Sequence, residues 1–298
     1  MASENDQART VADGTRTARE QVLVDAVALH ELLAGARPPV VLDVRWALGR
    51  TDGRERHLAG HVPGAVYVDL DTELAAPASP QQGRHPLPPL DVLQAAARRW
   101  GVREGGSVVV YDDAGGMSAA RAWWLLRQAG VRDVRLLDGG LPAWTAAGWA
   151  LEEGDVVPEQ GDVELAPVAA GVLDADGAAA LARGGILLDA RAAERYRGDV
   201  EPVDPRAGHI PGALSAPTAG NLDAHGRFLP VGDLVARFAA LGVVPGVAVG
   251  VYCGSGVTAA HEAAALASVG VDAALYAGSW SQWSNDPRRP AATGDEPG

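Results

Sequence analysis

The sequence is poor in cysteine, lysine and phenylalanine. Its 298 residues include one cysteine, Cys253, two phenylalanines and no lysine, so that all 25 basic residues are arginine. A single thiol excludes an intrachain disulfide, a dithiol redox pair and a thiolate zinc site, each of which needs several cysteines. We therefore expect no metal and no cofactor, and nothing in the sequence calls for an oxidising compartment. The missing lysines accompany heavy use of Ala, Gly, Val and Arg, which indicates a coding bias and not a function.

Long apolar runs and an excess of positive charge are also absent. No segment reaches the roughly 18 consecutive apolar residues of a membrane-spanning helix, and residues 1–19 lack the apolar stretch of a secretory signal. The formal net charge of −13 disfavours nucleic acid and anionic membranes as partners. These absences favour a cytoplasmic protein, in which an anionic substrate would need a locally positive site.

Four motifs occur twice, in the same order, in the two halves of the chain. VVLDVR, which begins at Val40, is matched by ILLDAR at Ile186, and GHVPGA at Gly60 is matched by GHIPGA at Gly208. In the same way, VVVYDD precedes LLDGGLPAW in the first half, and VGVYCG precedes LYAGSWSQW in the second. Four ordered matches indicate a duplicated domain.

Short apolar segments alternate with helix-like segments in each half. GILLDA and VAVGVY are apolar runs typical of buried strands, and TAAHEAAALASVG predicts a helix that ends at Gly270. This alternation predicts an α/β fold of tandem duplicated domains, each with a mainly parallel central sheet flanked by helices. The predicted boundaries are a disordered tail over 1–19, a first domain over 20–150, a linker over 151–168, a second domain over 169–290 and a mobile tail over 291–298.

Cys253 ends an apolar strand and begins a glycine-containing loop that leads into a helix. Parallel α/β sheets bind ligands at the carboxyl ends of their strands, and loop amides and a helix N-terminus favour an anion there. Gly254 and Gly256 permit tight backbone turns. These features favour a nucleophilic thiolate over the usual role of a free cysteine as a buried, small apolar side chain. A cysteine phosphatase is excluded, because Ala259 stands where its phosphate-binding arginine would be.

CGSGVTA after a strand, GHIPGA after LLDAR and a tryptophan after AGS resemble the rhodanese (sulfurtransferase) family, in its two-domain thiosulfate or 3-mercaptopyruvate form. The resemblance covers about residues 20–290 and includes ARAWWLLR and LLDGGLPAW in the first half. It implies two rhodanese domains, with the active site in the loop of the second. The first domain is expected to be catalytically silent, because Asp112 stands there in place of Cys253.

The resemblance implies a two-step transfer through a persulfide. The Cys253 thiolate takes a sulfur atom from the donor, and a thiol, thioredoxin or cyanide then removes it. Backbone amides of the loop are expected to hold the anionic terminal sulfur. The loop residues assigned to this role are Gly254, Gly256, Val257, Thr258 and Ala259.

The two residues that follow the cysteine favour 3-mercaptopyruvate as the donor. Thiosulfate-preferring members of the family carry basic residues here, whereas Gly254 and Ser255 are neutral. The resemblance also implies a proton relay for the departing enolate, made of Ser255 with His85 and Asp71 of the first domain. A histidine is suited to proton transfer near neutral pH.

Arginines of the second domain are expected to bind the donor's carboxylate, since the guanidinium group offers two parallel donors. The resemblance assigns this role to Arg195 and, just before GHIPGA, to Arg206. Arg191 is expected to be structural, because Arg45 matches it in the silent domain. For the same reason we expect His61 and His209 to stabilise a turn through side-chain-to-backbone bonds.

Several alternatives remain open from the sequence alone. Thiosulfate is the alternative donor, a non-enzymatic sulfur carrier or binding module is the alternative class, and a duplicated fold with an unreactive cysteine is a third possibility. The expected partners are a small-molecule donor and acceptor, with no nucleic acid and no membrane. We expect a monomer or a weak dimer.

Overall fold

The computed structural model describes residues 16–168 and 171–298. These residues form two five-stranded sheets, and every pair of neighbouring strands is parallel. The first sheet consists of β1 (Leu23–Val24), β2 (Val40–Asp43), β3 (Val66–Tyr67), β4 (Ser107–Tyr111) and β5 (Asp133–Leu137). The second consists of β6 (Val172–Leu173), β7 (Ile186–Asp189), β8 (Leu214–Ser215), β9 (Val249–Tyr252) and β10 (Ala273–Tyr276).

The strand order shows that the two halves share one topology. The first sheet has the order β1-β5-β4-β2-β3, and the second has the corresponding order β6-β10-β9-β7-β8. The register is also shared, because Asp43 pairs with Tyr111 as Asp189 pairs with Tyr252. The predicted tandem α/β fold is therefore confirmed, and the residue after each tyrosine lies at the carboxyl edge of its sheet.

Helices cover both sheets. Those of the first half are α1 (Ala18–Val22), α2 (Ala26–Leu33), α3 (Gly53–Ala59), α4 (Leu70–Glu73), α5 (Leu90–Arg99), α6 (Ala119–Gln128) and α7 (Gly140–Ala146). Those of the second half are α8 (Ala175–Gly184), α9 (Ala193–Arg197), α10 (Val231–Ala240), α11 (Thr258–Ser268) and α12 (Ser279–Trp283), with a 3-10 turn at Thr218–Asn221. None of these helices has the length and apolar character needed to cross a membrane.

Helices α6 and α11 join the two halves. They pack against each other, and the apolar core runs without a break from one sheet to the other through them. Alanines supply six of the eleven residues of α11 and three of the ten of α6, and small side chains let two helix backbones approach closely. Both helices are therefore buried on almost all sides, as expected of helices enclosed between two layers.

The structure differs from the two predicted tails where it describes them. Residues 1–15 lie outside the described part of the chain, but α1 already begins at Ala18, where Thr17 and Glu20 form a reciprocal capping box. The segment 291–298 was expected to be mobile, and the structure shows it bound to the second domain. Ala292 pairs with the backbone of His209, and Pro297 accepts a hydrogen bond from Gly212 N–H at 2.7 Å.

Candidate active site

Cys253 directly follows β9 and begins the active-site loop, residues 253–259. Its side chain is buried, and its Sγ accepts a hydrogen bond from Gly256 N–H at 3.1 Å. Gly256 has φ of +79°, and a Cβ atom there would lie 2.5 Å from the carbonyl oxygen of Ala277. Only glycine fits this turn, so the glycine aims a backbone donor at the sulfur. Val257 and Thr258 then lead into α11.

The equivalent loop of the first domain shows what this backbone shape can hold. Both carboxylate oxygens of Asp112 accept backbone N–H donors, at 2.7–3.0 Å. The four donors belong to Ala114, Gly116, Ser118 and Ala119. Because Asp112 and Cys253 occupy the same position in the same topology, this type of loop is a cradle for an anion. In the first domain the chain fills the cradle with its own carboxylate.

Ser255, His85 and Asp71 come together across the two domains, as the resemblance implied. Ser255 Oγ lies 2.8 Å from His85 Nδ1, and His85 Nε2 lies 3.3 Å from Asp71 Oδ1. The indole of Trp46 donates to the same oxygen of Asp71 at 3.0 Å. An ionised carboxylate only accepts, so His85 donates from Nε2, and its Nδ1 accepts the hydroxyl proton of Ser255.

The electrostatic environment keeps His85 neutral. Burial lowers its pKa to about 4, the charge of Asp71 opposes this shift, and the nearby guanidinium of Arg121 adds to it. An imidazole with this pKa is unprotonated at Nδ1 at neutral pH. His85 can therefore take up a proton that Ser255 passes to it.

Arg121 of α6, in the first domain, contacts the active-site loop of the second domain. It is fully buried, and it donates to the carbonyl oxygens of Gly256 at 3.2 Å and of His85 at 3.0 Å. Burial lowers its pKa to about 10, and the charge of Cys253 opposes that shift. The guanidinium thus ties the active-site loop to the segment that holds the histidine. Arg121 lies in the ARAWWLLR motif, in which arginines alternate with apolar and aromatic residues, and this pattern does not predict a contact with the other domain.

The two arginines assigned to the donor's carboxylate lie in different places. Arg195 lines the cavity beside Cys253, and its Nη2 lies 2.6 Å from Glu201 Oε1. Arg206 instead donates to four backbone carbonyl oxygens at 2.8–2.9 Å, those of Trp283, Ser284, Asp286 and Arg289. The expectation that Arg206 contacts the substrate is therefore corrected: its donors already hold the segment that follows α12.

Arg84 is the cation that sequence reasoning missed. It precedes His85, lines the cavity and forms an ion pair with Asp204. A Cβ atom on Gly254 would lie 3.0 Å from Nη2 of Arg84. The only signal in the sequence was its position next to a candidate relay histidine.

The cavity at Cys253 has a volume of about 520 Å³ and lies between the two domains. Its apolar wall includes Trp46, Leu48 and Met117, and its polar wall includes Arg84 and Arg195. This size and this mixture suit a small anionic molecule. Residues 16–168 and 171–298 contain no group of three His, Cys, Asp or Glu side chains arranged to hold a metal ion.

Arg191 and His209, which the sequence predicts to be structural, contact the backbone and charged side chains of their own domain. Arg191 forms a close ion pair with Asp189 and donates to the carbonyl oxygen of Gly208 at 2.6 Å. His209 Nδ1 lies 2.8 Å from the carbonyl oxygen of Tyr196. The first domain repeats both arrangements. Arg45 forms an ion pair with Asp43 and donates to the carbonyl oxygen of Gly60, and His61 Nδ1 lies 2.8 Å from the carbonyl oxygen of His57.

Comparison with known proteins places this site in a family. The family of rhodanese-like domains matches residues 25–147 and again residues 174–286. A putative thiosulfate sulfurtransferase, SseB, from Mycobacterium tuberculosis is 50% identical over 93% of this chain and 99% of the relative. A probable 3-mercaptopyruvate sulfurtransferase from Pseudomonas aeruginosa is 50% identical over 86% of this chain and 93% of the relative. The crystal structure of SseA from Escherichia coli, described among 3-mercaptopyruvate sulfotransferases, has a TM-score of 0.77 at 35% identity and covers 87% of this chain and 98% of that one.

The chain belongs to the rhodanese family. It is a tandem-domain sulfurtransferase, with two copies of the fold and one cysteine at the loop position. The family, the fold and the enzyme class predicted from the sequence are confirmed. Apart from the tails and Arg206, the domain boundaries and the roles of individual site residues stay predictions.

Proposed function

We propose that this protein transfers the sulfur of 3-mercaptopyruvate, through a persulfide on Cys253, to a thiol or cyanide acceptor. The observation that carries the proposal is the contact of Ser255 with His85, and of His85 with Asp71, at the lip of the cavity. A proton relay assists a donor whose carbon skeleton departs as a carbanion or enolate, because that leaving group must be protonated. The name of the Pseudomonas aeruginosa relative agrees with this donor.

In the first step, the Cys253 thiolate forms a bond with the sulfur of the donor. The carbon–sulfur bond of the donor breaks, and its electron pair leaves with pyruvate as the enolate. The relay takes the proton of the donor thiol through Ser255 and His85 and returns it to the enolate, so that pyruvate and the anionic persulfide are formed. The backbone N–H of Gly256, 3.1 Å from the sulfur of Cys253, favours an anion at this position.

In the second step, the acceptor attacks the outer sulfur of the persulfide. The sulfur–sulfur bond breaks, its electron pair returns to Cys253 as the thiolate, and the acceptor carries the sulfur away. We include thioredoxin and low-molecular-weight thiols among the acceptors, because the cavity is open to solvent between the domains. We also propose a cytoplasmic enzyme that acts as a monomer or a weak dimer, without nucleic acid or membrane partners.

Thiosulfate is the second candidate donor, and two observations favour it. The cavity presents two arginines beside Gly254, and the Mycobacterium tuberculosis relative is named for thiosulfate. To decide between the two donors, kcat/KM is measured for each donor with the same acceptor, and the two values are compared. We expect kcat/KM to be larger for 3-mercaptopyruvate by at least about a hundredfold, the lower end of the effect of one general acid–base group. A larger kcat/KM for thiosulfate would replace the proposed donor.

A further inference from the structure

Two arginines from different domains meet beside Gly254, next to the reactive thiol. Arg84 belongs to the first domain, and Arg195 lies on α9 of the second. A Cβ atom placed on Gly254 would lie 3.0 Å from Nη2 of Arg84 and 3.3 Å from Nη1 of Arg195. Both guanidinium groups therefore reach the same side of the active-site loop.

Asp204 joins the two arginines through their other terminal nitrogens. Its Oδ1 pairs with Nη1 of Arg84, and its Oδ2 lies 3.2 Å from Nη2 of Arg195. Glu201 adds a second carboxylate, 2.6 Å from the same Nη2. The side chains of Asp204 and Glu201 are only 2% and 4% exposed. Solvent ions therefore screen these charges weakly.

Both arginines retain hydrogen-bond donors for a ligand. The Nε atoms of Arg84 and Arg195 are buried and have no partner among the residues that the structure describes. The bonds to Asp204 and Glu201 use Nη1 of Arg84 and Nη2 of Arg195, which are not the nitrogens nearest to Gly254. The nitrogens that do reach Gly254, Nη2 of Arg84 and Nη1 of Arg195, are therefore left to donate charge-assisted hydrogen bonds to a carboxylate that enters there.

We propose that Arg84 and Arg195 bind the donor's carboxylate between them, and that Asp204 selects a donor with one negative charge over the dianion thiosulfate. This inference rests on the proposed function, because it concerns the same cavity. Asp204 and Glu201 already balance the charges of both guanidinium groups. The site therefore offers donors for one carboxylate, but little net positive charge for a dianion approaching a thiolate.

The Asp204→Asn variant removes the selecting charge and keeps the shape of the side chain. We expect the ratio of kcat/KM for thiosulfate to kcat/KM for 3-mercaptopyruvate to rise about tenfold or more, since one charge at close range in a poorly hydrated site has at least this effect. Asp199→Asn is the matched control. It removes the same charge from the same segment, where Asp199 pairs with Arg197 at the surface. A ratio that stays within about twofold of the wild type in Asp204→Asn, or that rises equally in the control, overturns the selection by Asp204.

The Arg84→Gln variant tests the clamp, meaning the pair of Arg84 and Arg195 that binds the carboxylate. It keeps the inference testable if the Asp204 variant does not fold. We expect KM for 3-mercaptopyruvate to rise about tenfold while kcat changes much less, because the lost contact is made equally in the ground and transition states. Arg84→Lys should recover only part of the loss, since an ammonium lacks the planar fork. Arg54→Gln, which removes an exposed arginine paired with Asp155, is the control. An unchanged KM in Arg84→Gln overturns the clamp, and so does a fall in kcat alone.

Loading of Cys253 in the wild type separates this inference from the proposed function. If neither donor adds sulfur to Cys253, the proposed function fails and the inference fails with it. If the wild type transfers sulfur from 3-mercaptopyruvate while the Asp204 and Arg84 variants behave like their controls, only the inference fails.

Discussion

At the scale of single residues, the proposed chemistry depends on a histidine that its surroundings keep neutral. His85 is buried beneath the edge of Trp46, and its pKa is lowered to about 4. Since its unfolded pKa is 6.5, the stability linked to neutral His85 is present above pH 6.5 and is lost as the pH falls through about 4. The relay therefore stays in its proton-accepting form throughout the neutral range.

Replacement of His85 should affect the two donors differently. We expect His85→Asn to lower kcat with 3-mercaptopyruvate by about 10²–10⁴-fold, the range for loss of a general acid–base group. Turnover of thiosulfate should fall much less, because sulfite leaves without protonation at carbon. Steady-state assays with both donors measure the difference, and exposed His225→Asn is the control. Equal losses with both donors would remove the relay from the mechanism.

The two arginine assignments show where the sequence was informative. The loop around Cys253 and the DAR motif carry strong local patterns, and the residues assigned from them, Cys253, Ser255 and Arg195, line one cavity. Arg206 was assigned by its distance along the chain from GHIPGA, and that distance does not show which way a side chain points. Arg84 approaches the thiol from the other domain, and no local pattern records that contact.

At the scale of elements, the loop and α11 work as one unit that begins at a strained turn. The Gly256→Ala variant should lose about 1–3 kcal/mol of stability, because the left-handed backbone is unfavourable for alanine and its Cβ would strike the carbonyl oxygen of Ala277. Denaturant unfolding measures the loss. Gly270→Ala is the matched control, since Gly270 has a similar φ of +82° with open space around it. Equal losses in the two variants would show that the contact with Ala277 is unimportant.

Glu262, also on α11, should make stability depend on pH. Its Oε2 accepts from Asn221 at 2.6 Å, but burial raises its pKa to about 7, from 4.5. The stability linked to neutral Glu262 is therefore present below pH 4.5 and is lost as the pH rises through about 7. Between pH 4 and 8, Glu262→Gln should gain about 3 kcal/mol in unfolding free energy relative to the wild type. A difference that does not change with pH would contradict this ionisation.

At the scale of the whole molecule, the first domain supplies part of the candidate active site. It contributes His85 and Asp71 to the relay and Arg121 to the support of the active-site loop. Its own cradle is filled by the carboxylate of Asp112, which explains why one cysteine serves two similar domains. The shared core along α6 and α11 fixes the two halves against each other.

Arg121 should therefore stabilise both the fold and the site. We expect Arg121→Met to lose several kcal/mol of stability, because it leaves buried carbonyl oxygens of Leu74, His85 and Gly256 without their donor, at about 1–3 kcal/mol for each unsatisfied group. Activity should fall with it, since the loop and the histidine segment lose their common anchor. Arg127→Met on the same helix is the control, because Arg127 is a half-exposed arginine that donates to the carbonyl oxygen of Gln21 and lies over the ring of Trp123. A loss no larger than in the control, measured by unfolding, would contradict the anchoring role.

The duplication made the global fold predictable from the sequence, but the contacts between the two copies were not predictable. Four repeated motifs and alternating apolar segments were sufficient for two parallel sheets of equal topology. The tail at 291–298 has a polar, proline-containing sequence that gives no apolar signal, so its backbone pairing with His209 was missed. The packing of α6 on α11 was also not predicted, because the alanines of α11 are compatible with a solvent-exposed face as well as with a helix contact.

The most direct test of the account is the mass of the protein after brief incubation with 3-mercaptopyruvate in the absence of an acceptor. The account predicts a gain of one sulfur atom, located on Cys253, with release of one equivalent of pyruvate. Addition of a thiol should discharge the sulfur, and Cys253→Ser should gain none. An unmodified wild-type protein, or sulfur transfer that persists in Cys253→Ser, would contradict the persulfide mechanism.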